Sequence, residues 1–292
     1  MNIEILGAGG ATGVPRPFCN CLPCTNARTK GLPHTRYGPS LFFHDLNLLI
    51  DTPEEIAIQL NRANIPQVDA VLYSHWHPDH TAGSRVFEAN YGMNSEYWAL
   101  PVHRHCTNVY LPERVARTFA DNHGLQTRFD FLQRGGVIAV EVIPAGNSIQ
   151  YRDQRITPVD LQEDIACSFL IEDQQRGKRI LIAMDETFEW QPPAWLGKLD
   201  LVIMPAGIFE FHPLQGQRQI PPEHPILKRE ATFEQTMAMI RALDTPRVIF
   251  SHLNHSDYLT HDEYREVAAR VNAAGTIQPK VTFAYDGMRI EV

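Results

Sequence analysis

The sequence predicts an α/β fold, read as a single domain over residues 1–292. Three observations carry this. Short apolar strands alternate with helical segments along the chain, the pattern of layered α/β architectures. Several of those strands end abruptly in histidine or aspartate, and α/β folds build their sites from strand ends. No linker, low-complexity segment or fixed-period repeat divides the chain.

In order, Ile3 to Leu6 is a first strand, running into Gly7-Ala8-Gly9-Gly10-Ala11-Thr12-Gly13. The glycine spacing fits neither a P-loop nor a dinucleotide fingerprint, and no lysine or helix follows, so the segment reads as a turn where backbones approach closely. Ser40–Phe43 and Leu48–Asp51 form a hairpin. Thr52-Pro53-Glu54-Glu55 opens a helix to about Ala63: a cap residue, a first-turn proline and acids at the positive end. Ala70–Tyr73 is a buried strand. Residues 84–130 read as helical and mixed, with one helix opening at Leu111-Pro112-Glu113.

Strands resume at Val137–Ile143, Arg155–Val159, Ser168–Glu172, Arg179–Ala183 and Leu199–Met204. Residues 208–228, rich in Pro, Phe, His and Gln, read as a long functional loop. Helices follow at Glu230–Leu243 and His261–Asn272, and strands at Arg247–Phe250, Val281–Tyr285 and Met288–Val292.

Composition is ordinary for a globular chain, 43% hydrophobic and 21% charged over 292 residues, so a sizeable core is available. Acidic groups outnumber basic ones, 34 to 26, for a formal charge of −8. That argues against a broad footprint for long nucleic acid or an anionic membrane. No apolar run reaches transmembrane length. Met1 to Leu6 lacks the charged start and apolar stretch of a signal peptide, so a cytoplasmic location is the expectation.

The richest segment is Ser74-His75-Trp76-His77-Pro78-Asp79-His80, three imidazoles and one carboxylate directly after an apolar strand. Zinc, manganese and iron are held by such groups. In an extended backbone His75 and His77 face the same way, and Asp79 and His80 fall in the following turn. Asp185 and His252 each close an apolar strand further on and are candidate ligands. Taken alone, Asp185 reads equally well as a helix cap before Glu186-Thr187. Cys19, Cys21 and Cys24 crowd together, which in a reducing compartment suggests a metal more than disulfides; a redox thiol cluster is the rival reading. Cys106 and Cys167 read as ordinary buried cysteines.

The whole run His-x-His-x-Asp-His, followed downstream by Asp185 and His252, resembles the metallo-β-lactamase superfamily over essentially the full chain. Leu49-Ile50-Asp51-Thr52 is similar to its early strand-end motif and Ala284-Tyr285-Asp286-Gly287-Met288 to its closing strand. The resemblance implies an αββα sandwich, two facing mixed sheets with outer helices, and a metal-dependent hydrolase. Gly9-Gly10-Ala11-Thr12-Gly13-Val14-Pro15 with Cys19-x-Cys21-x-x-Cys24 resembles the branch of cyclic phosphodiesterases of the carbon–phosphorus lyase pathway.

Carried over by position, the resemblance implies two catalytic divalent metals (zinc or manganese, or iron) and one structural zinc. His75 and His77 would bind the first catalytic metal, Asp79, His80 and His252 the second, and Asp185 would bridge them. Cys19, Cys21, Cys24 and His255 would hold the structural zinc, a closed tetrahedral set. The chain departs from the pattern twice. The segment Thr157–Asp164 has no histidine where the family usually has a ligand; Glu163 is the best substitute by position, with Asp164 and Asp160 behind it, or else these acids form an exposed turn and the site is mononuclear. A histidine is also absent at Glu230-Ala231-Thr232. Glu230 could protonate a leaving oxygen only if burial raised its pKa, or it could be a first-turn helix acid. His224 and His212 on the long loop are alternative acids or phosphate contacts.

The expected activity is hydrolysis of small or cyclic phosphodiesters by a metal-bridging hydroxide, with Asp79 also orienting the nucleophile. Three alternatives stand beside it: a lactone or thioester hydrolase of the same superfamily, a non-hydrolytic metal-binding accessory protein of cofactor biosynthesis, and, behind these, a nuclease of the tRNA-processing type, for which the sequence shows no basic, glycine-rich arm to clamp RNA. A small-molecule substrate is expected, without long nucleic acid or membrane; many relatives are homodimers.

Overall fold

The computed structural model describes residues 1–92, 105–161, 164–274 and 279–292. Within them, strands pair into two seven-stranded sheets. The first runs through β1 (Asn2–Gly7), β2 (Ser40–Phe43), β3 (Leu48–Ile50), β4 (Ala70–Leu72), β5 (Thr107–Pro112) and β6 (Ile138–Ile143). The second runs through β7 (Ile149–Tyr151), β8 (Gln154–Asp160), β9 (Cys167–Asp173), β10 (Lys178–Ile182), β11 (Leu201–Pro205), β12 (Arg247–Ser251) and β13 (Lys280–Phe283). The last strand, β14 (Met288–Glu291), returns to the first sheet beside β1. Both sheets are mixed: β3 to β6 are parallel in one and β10 to β13 in the other, with antiparallel hairpins completing each.

Period-two patterning explains the sandwich. Ile3, Ile5, Leu41, Phe43, Leu48 and Ile50 of the first sheet share one core with Ile156, Phe169, Ile171, Ile180, Ile182 and Ile203 of the second. The alternate residues face outward under helices. Phe42, Leu49 and Val71 pack with α2 (Ile56–Arg62), α5 (Glu113–Asp121) and α6 (Leu125–Arg134). Leu181, Val202, Val248 and Phe250 pack with α7 (Phe233–Arg241) and α8 (His261–Ala273). This is the expected αββα arrangement. Among the described residues no helix is long and apolar enough to cross a membrane.

Several local expectations need correction. Thr107–Pro112, inside the stretch read as helical, is a strand with Val109, Tyr110 and Leu111 buried; α5 does open at Pro112-Glu113. The short β7 and the helix α1 (Leu22–Lys30) were not expected. The helix expected from Thr52 begins at Ile56, because the Thr52 N–H donates to His80 O at 2.7 Å instead of starting a turn. The helix expected from Glu230 begins at Phe233, where Thr232 and Gln235 form a capping box. Cys167 is buried as expected, but Cys106 is exposed.

The glycine run after β1 is indeed a close backbone approach. The Gly9 N–H donates to Tyr37 O at 2.8 Å and the Gly10 N–H to Leu253 O at 3.2 Å. A Cβ on Gly10 would lie 3.0 Å from His252 Nδ1. Glycine here lets the first loop press against a residue of the site.

Candidate metal centres

The loop after β4, the short helix α3 (Pro78–Thr81) and the ends of β10 and β12 converge at one edge of the sandwich. The helix-cap reading of Asp185 fails, since no helix follows it. Its carboxylate instead belongs to two groups of donor atoms, each with its atoms within 4.8 Å of one another. One is His75, His77, Asp185 and Glu186; the other is Asp79, His80, Asp185 and His252. His75 Nε2 and His77 Nδ1 are 3.0 Å apart, as the shared facing of alternate residues predicts. His252 Nε2 lies 3.2 Å from Asp185 Oδ2 and 3.4 Å from Asp79 Oδ2. His80 Nε2 is buried without a hydrogen-bond partner, 3.3 Å from Asp79 Oδ2. A buried imidazole nitrogen left so, among carboxylates, fits a bound cation.

Orientation comes from behind. Asp51, at the end of β3, accepts from the Ser74 N–H at 2.8 Å and the Ser74 hydroxyl at 2.6 Å, and holds His80 Nδ1 at 2.7 Å. That leaves Nε2 of His80 to face the site. Asp51, Glu186 and His252 all adopt left-handed backbone, φ of 60°, 58° and 53°. Non-glycine residues hold that conformation at a cost, and it recurs at functional sites.

The electrostatics are strongly coupled. Burial, then the charges of His80 and His77, keep the His75 imidazole well below its usual range, so it is neutral and able to ligate. Burial also opposes charge on His80, but Asp79 and Asp51 outweigh it and push His80 well above its usual value. Burial opposes charge on Asp79 too, yet His80 and His252 hold that carboxyl far below the ordinary range. Burial raises Asp185, and Glu186 adds to this against the opposing charge of His252. Groups so perturbed by one another, gathered at a strand-end edge, make this the candidate functional site.

A separate group joins Cys19, Cys21, Cys24 and His255, again within 4.8 Å. Cys19 Sγ and Cys21 Sγ lie 3.4 and 3.5 Å from His255 Nε2. A tetrahedron with Zn–S of about 2.3 Å and Zn–N of about 2.0 Å has an S···N edge of about 3.5 Å. The donor set and its spacing therefore fit a structural zinc.

Of the expected substitutes for the missing histidine, Glu163 lies outside the described residues. Asp160 and Asp164 turn outward: their side chains are 65% and 76% exposed, 3.1 and 3.5 Å from Arg114 nitrogens. Neither belongs to a donor group. Glu230 is half-buried and senses Asp185, Glu186, His252 and His77. Standing before α7, it is not a first-turn helix acid. Burial, then the Asp185 and Glu186 charges, push its carboxyl up to about 7. His224 is exposed, its Nδ1 accepting from the Ile226 N–H at 3.2 Å, and His212 Nδ1 accepts from the Leu214 N–H at 3.3 Å. Neither joins a donor group. The sequence reading passed over Glu186 as a donor; its signal was an acid directly after a strand-end aspartate.

A groove elsewhere on the surface is lined by Arg117, Trp190, Trp195 and Gln235, and by none of the donor residues. Its wall includes Cys167, whose N–H donates to Ser74 O at 3.0 Å, next to His75.

Comparisons agree with this architecture. Residues 46–253 match the family model described as a beta-lactamase superfamily domain. Among curated proteins no sequence matches. Among solved structures, a diphosphatase from the PhnP family is 20% identical with a TM-score of 0.67, covering 100% of this chain and 97% of that one. Zinc-bound PqqB from Methylobacterium extorquens is 17% identical with a TM-score of 0.70, covering 100% of both chains. The short form of human tRNase Z is 15% identical with a TM-score of 0.63, covering 100% of this chain and 99% of that one. At such identities the likeness establishes the fold. The family match spans most of the chain, the histidine cluster lies inside it, and so the chain belongs to the metallo-β-lactamase superfamily, with a resemblance to PhnP.

Proposed function

We propose that this protein is a metal-dependent phosphodiesterase acting on small or cyclic phosphodiesters. The observation that carries the reading is Asp185, one carboxylate common to two donor groups, which suits a pair of cations. Two structural neighbours, by name a diphosphatase from the PhnP family and a tRNase, are consistent with it. His75, His77 and Asp185 are placed to hold one cation, and Asp79, His80, Asp185 and His252 the other. Divalent cations there would supply an activated water and charge neutralisation for the developing oxyanion.

The chain's own groups do the rest. Asp79 stays ionised, through His80 and His252, and can accept a hydrogen bond from the attacking water. Glu230, raised to about 7, can carry a proton near neutrality toward a leaving oxygen. The formal charge of −8 favours short substrates over long nucleic acid. The structural zinc would tether the first loop to the strand end that carries His252. A non-hydrolytic accessory role is the second reading, and the missing histidine of residues 157–164 is what favours it.

A panel of substrates decides. With manganese or zinc added, phosphodiesters such as bis(p-nitrophenyl) phosphate and cyclic nucleotides should turn over. Turnover of lactones or thioesters without phosphodiesters would move the activity elsewhere in the superfamily, and no turnover of any class would favour the accessory role.

A further inference from the structure

We infer that Glu186 is a direct ligand of the first catalytic metal, taking over the place of the histidine that residues 157–164 lack. The inference rests on the metal-centre reading above and goes beyond it in naming the fourth donor. The remaining imidazoles of that half, His75 and His77, supply two nitrogens and Asp185 one oxygen. Glu186 Oε1 lies 3.1 Å from His77 Nδ1, which lies 3.0 Å from His75 Nε2. Donors on neighbouring positions around a cation at about 2.1 Å have such separations. His75 is fully buried and its Nδ1 is 3.0 Å from the Ser74 hydroxyl, so Nε2 is the nitrogen left to face the site. The Glu186 side chain is itself only 10% exposed, although glutamate ordinarily seeks water.

The described acids of the expected segment do not compete. Asp160 and Asp164 lie against Arg114 in solvent. Glu186 follows Asp185 directly on a left-handed backbone, φ 58°, and its carboxylate lies against His77 rather than in solvent. With Glu186 in place, both halves of the centre present two imidazoles and two carboxylates, sharing Asp185. Replacing an imidazole by a carboxylate hardens the first half, which shifts its preference from zinc toward manganese or ferrous iron.

The experiment counts metal rather than turnover. The full chain, with its structural zinc retained, is stripped of weakly held metal and titrated with manganese(II), bound ion being read by electron paramagnetic resonance. Glu186→Gln, Glu186→Asp and Glu163→Gln are titrated alongside, with circular dichroism and thermal unfolding as checks on folding. The parent and Glu163→Gln should bind about two equivalents and show the spin-coupled signal of a manganese pair. Glu186→Gln should bind about one, without the coupled signal. The acid retained in Glu186→Asp should keep the second equivalent at least about tenfold more weakly than the parent, a result that also serves if the Gln variant does not fold. Loss of the second equivalent in Glu163→Gln, or two parent-like equivalents in both Glu186 variants, would overturn the inference. The expected pattern across parent and variants, in a protein without phosphodiesterase activity, would leave Glu186 a ligand and remove the hydrolase reading, so the two fail separately.

Discussion

Asp51 Oδ2 and His80 Nδ1 meet at 2.7 Å between two fully buried side chains, and this contact sets which His80 nitrogen faces the site. Asp51 also takes both the N–H and the hydroxyl of Ser74. Removing it leaves a buried imidazole and a buried amide without partners. Asp51→Ala should therefore cost about 3–5 kcal/mol in unfolding free energy. It should also weaken the second metal about 10–100-fold, as loss of an orienting carboxylate does. Denaturant unfolding reads the first and chelator competition the second. A folded variant with parent-like metal affinity would show that Asp51 braces the fold without orienting the ligand.

Asp185 differs in kind, because it faces both donor groups from the end of β10 and bears no strand hydrogen bond with its side chain. Asp185→Asn keeps volume and removes the charge that two cations would share. Turnover should fall by about a thousandfold or more, a loss of roughly 4 kcal/mol in the barrier, while thermal unfolding of the metal-stripped protein stays within a few degrees of the parent. An active variant would end the shared-carboxylate reading.

Near the first loop the apolar support is thin. Val14, Cys24 and Ala27 are the buried members of a small satellite cluster, with Cys19 and Cys21 packed against it. So little apolar surface cannot order this segment unaided, and a closed zinc site contributes directly to folding. Cys21→Ser should lower zinc content by about one equivalent and expose residues 14–31 to limited proteolysis before the main sandwich unfolds. Unchanged zinc content would remove the structural-site assignment.

Much of the candidate site was legible because its donor groups sit where apolar strands stop. His75 and His77 differ by two positions and follow an apolar run, so alternation alone puts them on one side. Asp185 and His252 carry the same signature at the ends of β10 and β12. Glu186 was only faintly legible: its one signal is an acid directly after a strand-end aspartate, and the left-handed backbone it adopts is one that residue identity does not announce. β5 was missed because Leu111-Pro112 signals a helix start, and the strand before it runs straight into that signal. α1 was missed because its turns hold cysteine and polar residues with no apolar stripe. The outward turn of Asp160 and Asp164 depends on Arg114, nearly fifty residues away in sequence, a pairing no local pattern reveals.

Glu230 offers a way to see cations arrive without following chemistry. In protein stripped of catalytic metal its carboxyl should titrate near 7, because burial and then the charges of Asp185 and Glu186 disfavour its anion. A cation between those carboxylates cancels the repulsion and favours the ionised form, so the folded pKa must fall when metal binds. At pH 6 a proton held by Glu230 is then released. Isothermal titration of manganese(II) in buffers of different ionisation enthalpy measures that release. The parent should give up close to one proton more than Glu230→Gln at pH 6, and the difference should vanish by about pH 9, where Glu230 is already ionised. His77, His80 and His252 also lose protons on metal binding, but they do so in both proteins and cancel in the comparison. Equal release at pH 6 would mean that Glu230 does not sense the metal centre, and its role as proton donor would fall with it.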